Sequence, residues 1–190
     1  MLAHALKEWA VICRALEQGN QTIIFRKGGL VEPDGGFGVK HKRFWLYPTY
    51  LHQQEAGIKP EFTPLLNESE AGKPAPGNIH LSHFAEVTAV YQLHDMVGAL
   101  LLSPLHIYSE ETVHARFRYR SPGLFVLLLR VYRAGKSLVL AESEAYAGCK
   151  SWVELDHPLP TEGRSPVLTN DKFTAVANTI HNLLKPIAYT

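Results

Sequence analysis

The chain has 190 residues, 46% of them hydrophobic and 19% charged, a balance that excludes disordered, collagenous and simple coiled-coil chains. Nineteen Lys and Arg against eighteen Asp and Glu leave a net charge of +1, so no global field recruits nucleic acid or an acidic membrane and any anion site is local. A chain of this length buries roughly 70% of the surface it exposes when unfolded, enough for a core without metal or disulfide.

In chain order, Trp9 to Leu16 and Gln21 to Lys27 are β-compatible runs on either side of Gly19-Asn20, which predicts a hairpin; with Gly19-Asn20 as a two-residue turn Leu16 faces Ile23 and Cys13 faces Arg26, and a longer loop shifts this register. A glycine-rich loop follows, with five glycines among residues 28–38. Thr49 as N-cap and Gly57 as stop predict a short helix from Tyr50 to Ala56. Residues 67–78 lack large apolar side chains and read as a linker. Strands are expected over Phe84 to Leu93, Ser137 to Glu142 and Ser151 to Leu155, and a short buried helix from Asp95 to Ser103, ended by Pro104. Glu111 to Arg120 and Leu124 to Arg133 flank Ser121-Pro122-Gly123 as a second hairpin. After Thr169-Asn170-Asp171, the apolar positions Phe173, Val176, Ile180, Leu183 and Leu184 recur near a period of 3.6 and predict an amphipathic helix. The expected fold is α+β: an antiparallel or mixed sheet built from hairpins, with a few short helices and a C-terminal amphipathic helix. One domain over residues 1–190 is the expectation; the alternative is a smaller lobe over 1–66, the linker, and a larger lobe over 79–190.

Three windows carry candidate chemistry. The first is Arg26-Lys27-Gly28-Gly29, where backbone amides beside two cations suit phosphate. It matches neither GxxxxGK[ST] nor, with His41 in the third glycine position of Gly36-Phe-Gly38, the dinucleotide fingerprint. The second interleaves Lys42 and Arg43 with Phe44, Trp45, Tyr47 and Tyr50, a pattern suited to a flat, charged ligand such as a nucleotide or unpaired base. On the predicted helix here, His52 and Glu55 share a face, so Glu55 could orient the imidazole for acid/base work, with His41 as a second candidate. The third is Arg116-Phe-Arg-Tyr-Arg120, which as a strand lines up Arg116, Arg118 and Arg120 on one face.

No cofactor or metal is expected: His80-Leu-Ser-His83 lacks a second ligand pair, and HExxH, EF-hand and GxSxG patterns are absent from the sequence. Cys149 beside Lys150 could be an activated thiol or a core residue packed near Trp152. Cys13 and Cys149 offer no disulfide framework, the start of the chain does not read as a signal peptide, and the longest apolar run, Leu124 to Leu129, is far short of the ~20 residues a membrane helix needs. A cytoplasmic location and no membrane partner follow as expectations.

Trp9, Ala15-Leu16, Gly19, Arg26-Lys-Gly-Gly29, His41, Phe44-Trp-Leu-Tyr-Pro-Thr49, His52-Gln53, Leu129-Arg-Val-Tyr132 and Gly148-Cys-Lys-Ser-Trp152 together resemble the bacterial domain-of-unknown-function family 1802. The resemblance implies no assigned activity. Some relatives resemble components associated with Mrr-type restriction endonuclease domains, which implies a restriction-modification context. The leading expectation is an accessory module binding a phosphate-bearing partner, nucleic acid rather than a free nucleotide. Arg26, Lys27, Lys42, Arg43, Arg116, Arg118 and Arg120 would neutralise phosphate, Gly28 and Gly29 would orient it, and Trp45 or Tyr47 would stack on a base. The alternatives are an enzyme acting on a nucleotide or phosphate ester, and a structural subunit docking a protein partner through Phe44, Trp45 and Tyr50.

Overall fold

The structure is a computed structural model that describes residues 1–27, 39–148 and 150–184. Gly28, Gly29 and Cys149 therefore lie outside the described residues. Seven described strands form one mixed sheet: β1 (Leu2–Trp9), β2 (Ile23–Arg26), β3 (Arg43–Thr49), β4 (Asn78–Leu93), β5 (Leu124–Ala141), β6 (Trp152–Leu159) and β7 (Ser165–Pro166). The order is β2-β5-β4-β3-β1-β6, with β7 added to β5. Strands β1 and β3 run parallel and the other pairs are antiparallel. Five helices complete an α+β fold: α1 (Ala10–Glu17), α2 (Thr63–Ala71), α3 (Met96–Leu101), α4 (Glu110–Arg118) and α5 (Asn170–Leu184).

Alternation along the strands gives the sheet two apolar faces. Phe44 and Leu46 of β3 join a core with the buried face of α1, while Trp45 and Tyr47 join Phe84, Tyr146 and Val153 on the other side. The sheet rolls as well as twists. Three strands separate β2 from β1 in its order, yet Arg26 at the end of β2 donates to the Lys7 carbonyl of β1 at 3.4 Å.

The first predicted hairpin is overturned. Residues 10–17 form α1, and β2 pairs with β5 instead, placing Ile23 opposite Leu128 and Arg26 opposite Phe125. Val11 and Ile12 favour a strand locally, but α1 is buried along most of its length. Its caps come from elsewhere: Trp9 N–H donates to its neighbour Glu8, and Val11 N–H donates to Gln53 Oε1 at 3.1 Å. Gly19, at φ +75°, ends this helix rather than turning a hairpin.

The second predicted hairpin fails for the opposite reason, because local helix signals were present. The Ser109 hydroxyl accepts from Thr112 N–H, Glu110 and Glu111 open α4, and Arg116 and Arg118 close it. Ser121-Pro122-Gly123 then leads from α4 into β5. The predicted helix over 50–56 is a turn at Leu51-His52 followed by a single 3-10 turn, Glu55–Gly57, and Asn67 to Ala71 of the expected linker belong to α2. The expected strands at 84–93, 137–142 and 151–155 fall mainly within β4, β5 and β6; α3 is capped by Asp95 and α5 is the predicted amphipathic helix. Among the described residues, no helix is long and apolar enough to cross a membrane.

Candidate functional site

The C-terminal ends of the parallel strands β1 and β3 open into a cleft of about 620 Å³. Lys7, Glu8, Trp9 and Arg26 form one side; Tyr47 to His52, leaving β3, form the next. The segment from Lys73 to His80, which joins α2 to β4, and Lys150 with Ser151 before β6 complete the rim. Lys7, Arg26, Lys73 and Lys150 thus face one space with Glu8 and Glu142, four cations against two carboxylates.

The floor is fixed by a buried carboxylate. Arg116 Nη2 lies 3.1 Å from Glu8 Oε1, and Arg26 Nη1 lies 3.5 Å from Glu8 Oε2. Burial alone would raise the Glu8 carboxyl, but Arg116 and Arg26 outweigh it and hold it below the usual carboxylate range. Arg116 also donates to the Phe25 carbonyl at 3.1 Å, and its guanidinium lies over the rings of Tyr108 and Trp9, at 4.5 and 4.9 Å. This network fastens α4 and β2 to β1 and sets the Trp9 ring at the cleft.

The cations on the walls touch aromatic rings. Lys73 Nζ lies 5.1 Å from the Tyr50 ring centre, and Lys7 Nζ lies 5.3 Å from that of Tyr47 while donating to the Tyr146 and Gly148 carbonyls. The Tyr47 hydroxyl donates to Glu142 at 3.0 Å; burial, with this carboxylate beside it, pushes the phenol above its usual value. Lys73 and Lys150 are exposed at the rim.

The predicted site residues divide between several places. Arg26, Tyr47 and His52 border the cleft, but Tyr47 is buried, with Lys7 over its ring and its hydroxyl on Glu142, so it does not stack on a base as expected. Lys27 instead donates its ammonium to the Phe117, Ser121 and Gly123 carbonyls, closing the end of α4. His41 stacks on His4 at 3.5 Å near Trp152, and burial and His4 hold it below the usual imidazole value. It precedes β3 and His52 follows it, and a seven-residue strand spans ~23 Å at ~3.3 Å per residue, so the two histidines do not share a site. Glu55 accepts from the Thr63 hydroxyl, and without the predicted helix its shared face with His52 is lost. Trp45 is fully buried against Phe84, which prevents it from stacking on a base; Arg43 lies over the same Phe84 ring, and Lys42 is exposed before β3 begins.

The arginine stripe does not form. At ~100° per residue, positions two apart in a helix point away from each other. Arg116 turns inward to Glu8, Arg118 is exposed at the end of α4, and Arg120, at φ +63°, is exposed beyond it. Lys73, Lys150 and Trp9 carry no local sequence signal for a place in this cleft. Only for Tyr50 was there a local signal, its place in the cation-and-ring window.

Fold and site together define an α+β protein with a cationic, aromatic-walled cleft at the ends of two parallel strands. The model of the Domain of unknown function family DUF1802 matches residues 5–179, and the chain belongs to that family. No curated protein matches it in sequence. Among solved structures, ASCH from Zymomonas mobilis is 14% identical, with a TM-score of 0.40 over 92% of this chain and 93% of that one. A mutant of that protein is 17% identical, with a TM-score of 0.39 over 67% of this chain and 68% of the other. Both are loose likenesses.

Proposed function

We propose that the cleft binds a phosphate-bearing partner, and that this partner is nucleic acid with unpaired bases. The observation that carries the reading is that Arg26, Lys73 and Lys150 surround one space walled by the rings of Trp9, Tyr47 and Tyr50. Phosphate is neutralised by Lys73 and Lys150 at the rim, where both residues are exposed. Arg26 is committed to Glu8, so it acts as part of a fixed floor more than as a mobile ligand. Tyr50 offers a ring to a base, and stacking of this kind tolerates any sequence. The contacts are to backbone and ring faces, which predicts strong salt dependence and weak sequence preference. A restriction-modification context rests on the family resemblance alone.

The test is a fluorescence anisotropy titration with short single-stranded DNA and RNA at several salt concentrations. Log affinity is expected to fall linearly with log salt, by ~0.7 for each phosphate contacted in a single strand. Absence of binding at low salt overturns the proposal.

A further inference from the structure

A second depression, of about 580 Å³, lies beside the cleft on the α1 side of β4 and β5. Arg14, His80, Ser82, His83, Arg133 and Ser137 face into it. His80 also lines the first cleft, so one side chain forms the ridge between the two, and it is hydrogen-bonded there to Ser137.

The charges in this depression are unequally committed. Glu17 is the carboxylate present; it lies 3.5 Å from Arg14 Nη1 and 3.6 Å from His83 Nδ1. Arg14 also approaches Glu68 at 3.7 Å. Arg133 makes no ion pair among the described residues, is exposed, and stands between His83 and Ser165 in the cross-strand register. The neighbouring hydroxyls are already engaged, Ser82 with Glu17 and His83 and Ser137 with His80, which leaves Arg133 as the uncommitted cation of the depression among the described residues.

We infer that a single nucleic-acid strand held in the first cleft continues over His80 into this second depression, where Arg133 takes one of its phosphates. The inference rests on the reading of the first cleft as a phosphate site. Asn78 lines the first cleft and His83 the second. Five steps along a strand cover ~17 Å at ~3.3 Å each. Successive phosphates of one strand lie ~3.4 Å apart along a DNA duplex axis, and a single strand stacked to that spacing covers this path with about five nucleotides. A mononucleotide would leave Arg133 unused. A duplex would keep its bases from the ring of Tyr50, because stacking on a side chain needs an unpaired base.

The experiment compares oligothymidylates and oligouridylates from dinucleotide to octanucleotide, by anisotropy, on the wild type, Arg133→Gln and Lys150→Gln. Affinity is expected to rise with length to about five or six nucleotides and then level. Arg133→Gln should weaken the octanucleotide about fivefold, lower its salt slope by ~0.7, and leave the dinucleotide unchanged. Arg133→Gln equal to wild type on the octanucleotide overturns the inference. If Lys150→Gln then still weakens binding, the ligand is confined to the first cleft and the proposed function stands. Absence of binding at every length removes both.

Discussion

Glu8 and Arg116 are separated by 108 positions in the chain and meet at 3.1 Å between Oε1 and Nη2, with Arg26 on the second carboxylate oxygen. One carboxylate on β1 thereby holds guanidinium groups from β2 and α4, and the cleft floor is assembled by that contact. Removing one partner of a buried pair leaves the others desolvated and uncompensated, typically a loss of ~3–5 kcal/mol. Glu8→Gln is expected to lower stability by about 3 kcal/mol in urea unfolding. Arg116→Lys should also destabilise, because an ammonium cannot bridge Glu8 and the Phe25 carbonyl while lying over Trp9 and Tyr108. If both variants unfold at the wild-type urea midpoint, the network does not fasten α4 and β2 to β1.

Lys27 serves the end of α4, where orphan carbonyls and the helix dipole favour a cation. Replacing it with Met removes hydrogen bonds to three carbonyls and should cost about 1–2 kcal/mol. Thermal unfolding measures this loss, and oligonucleotide affinity at a temperature where both proteins are folded should stay unchanged. A variant that keeps full stability but loses nucleic-acid binding would instead return Lys27 to the role of phosphate ligand.

One buried imidazole, His106, and one half-buried, His83, make the fold sensitive to mild acid. His83 is held down to about 4 by burial, with Arg133, Arg14 and His80 adding to it. His106, packed against Phe25 and Tyr108, is held down to about 3 by burial, with Lys59 and Arg116 adding to it. Both are neutral when folded, whereas the unfolded chain takes up these protons as pH falls through about 6.5. Their contribution is therefore full above that value and declines below it, by about 2 kcal/mol for each at about pH 5. The Glu8 carboxyl, held below its usual range, adds a further loss at lower pH. Urea unfolding at pH 7 and pH 5 should show the difference, and His83→Gln should remove about half of it. A stability that stays level over this interval would refute the assignment.

Lysines at the two ends of β3 provide an internal control for the binding reading. Lys73→Gln and Lys150→Gln, at the cleft rim, should each weaken single-stranded oligonucleotide binding several-fold and lower the salt slope by ~0.7. Lys42→Gln, before β3 begins, should do neither. The reverse pattern in the same titration would move the interface to the opposite end of the strand.

Features encoded in neighbouring residues could be read directly from the chain. Period 3.6 gave α5, Asp95 with the apolar run after it gave α3, and β-rich runs gave parts of β4, β5 and β6. The α+β class and the family were legible for the same reason. Helix α4 was missed: alternating arginines and aromatics imitate a strand there, and they outweighed the start signals of Ser109, Glu110 and Glu111. That residues 10–17 are helical depends on long-range contacts, because the side chain that accepts from Val11 N–H belongs to Gln53, 42 positions away. The tertiary fold also decides which cations are committed. Arg26 and Arg116 answer to Glu8, and Lys27 to carbonyls at and beyond the end of α4, while Lys73 and Lys150 reach the cleft rim from stretches that carry no local sign of an anion site. A charge is neutralised by whatever the fold brings within a few ångströms of it, and periodicity along the chain carries no record of that partner.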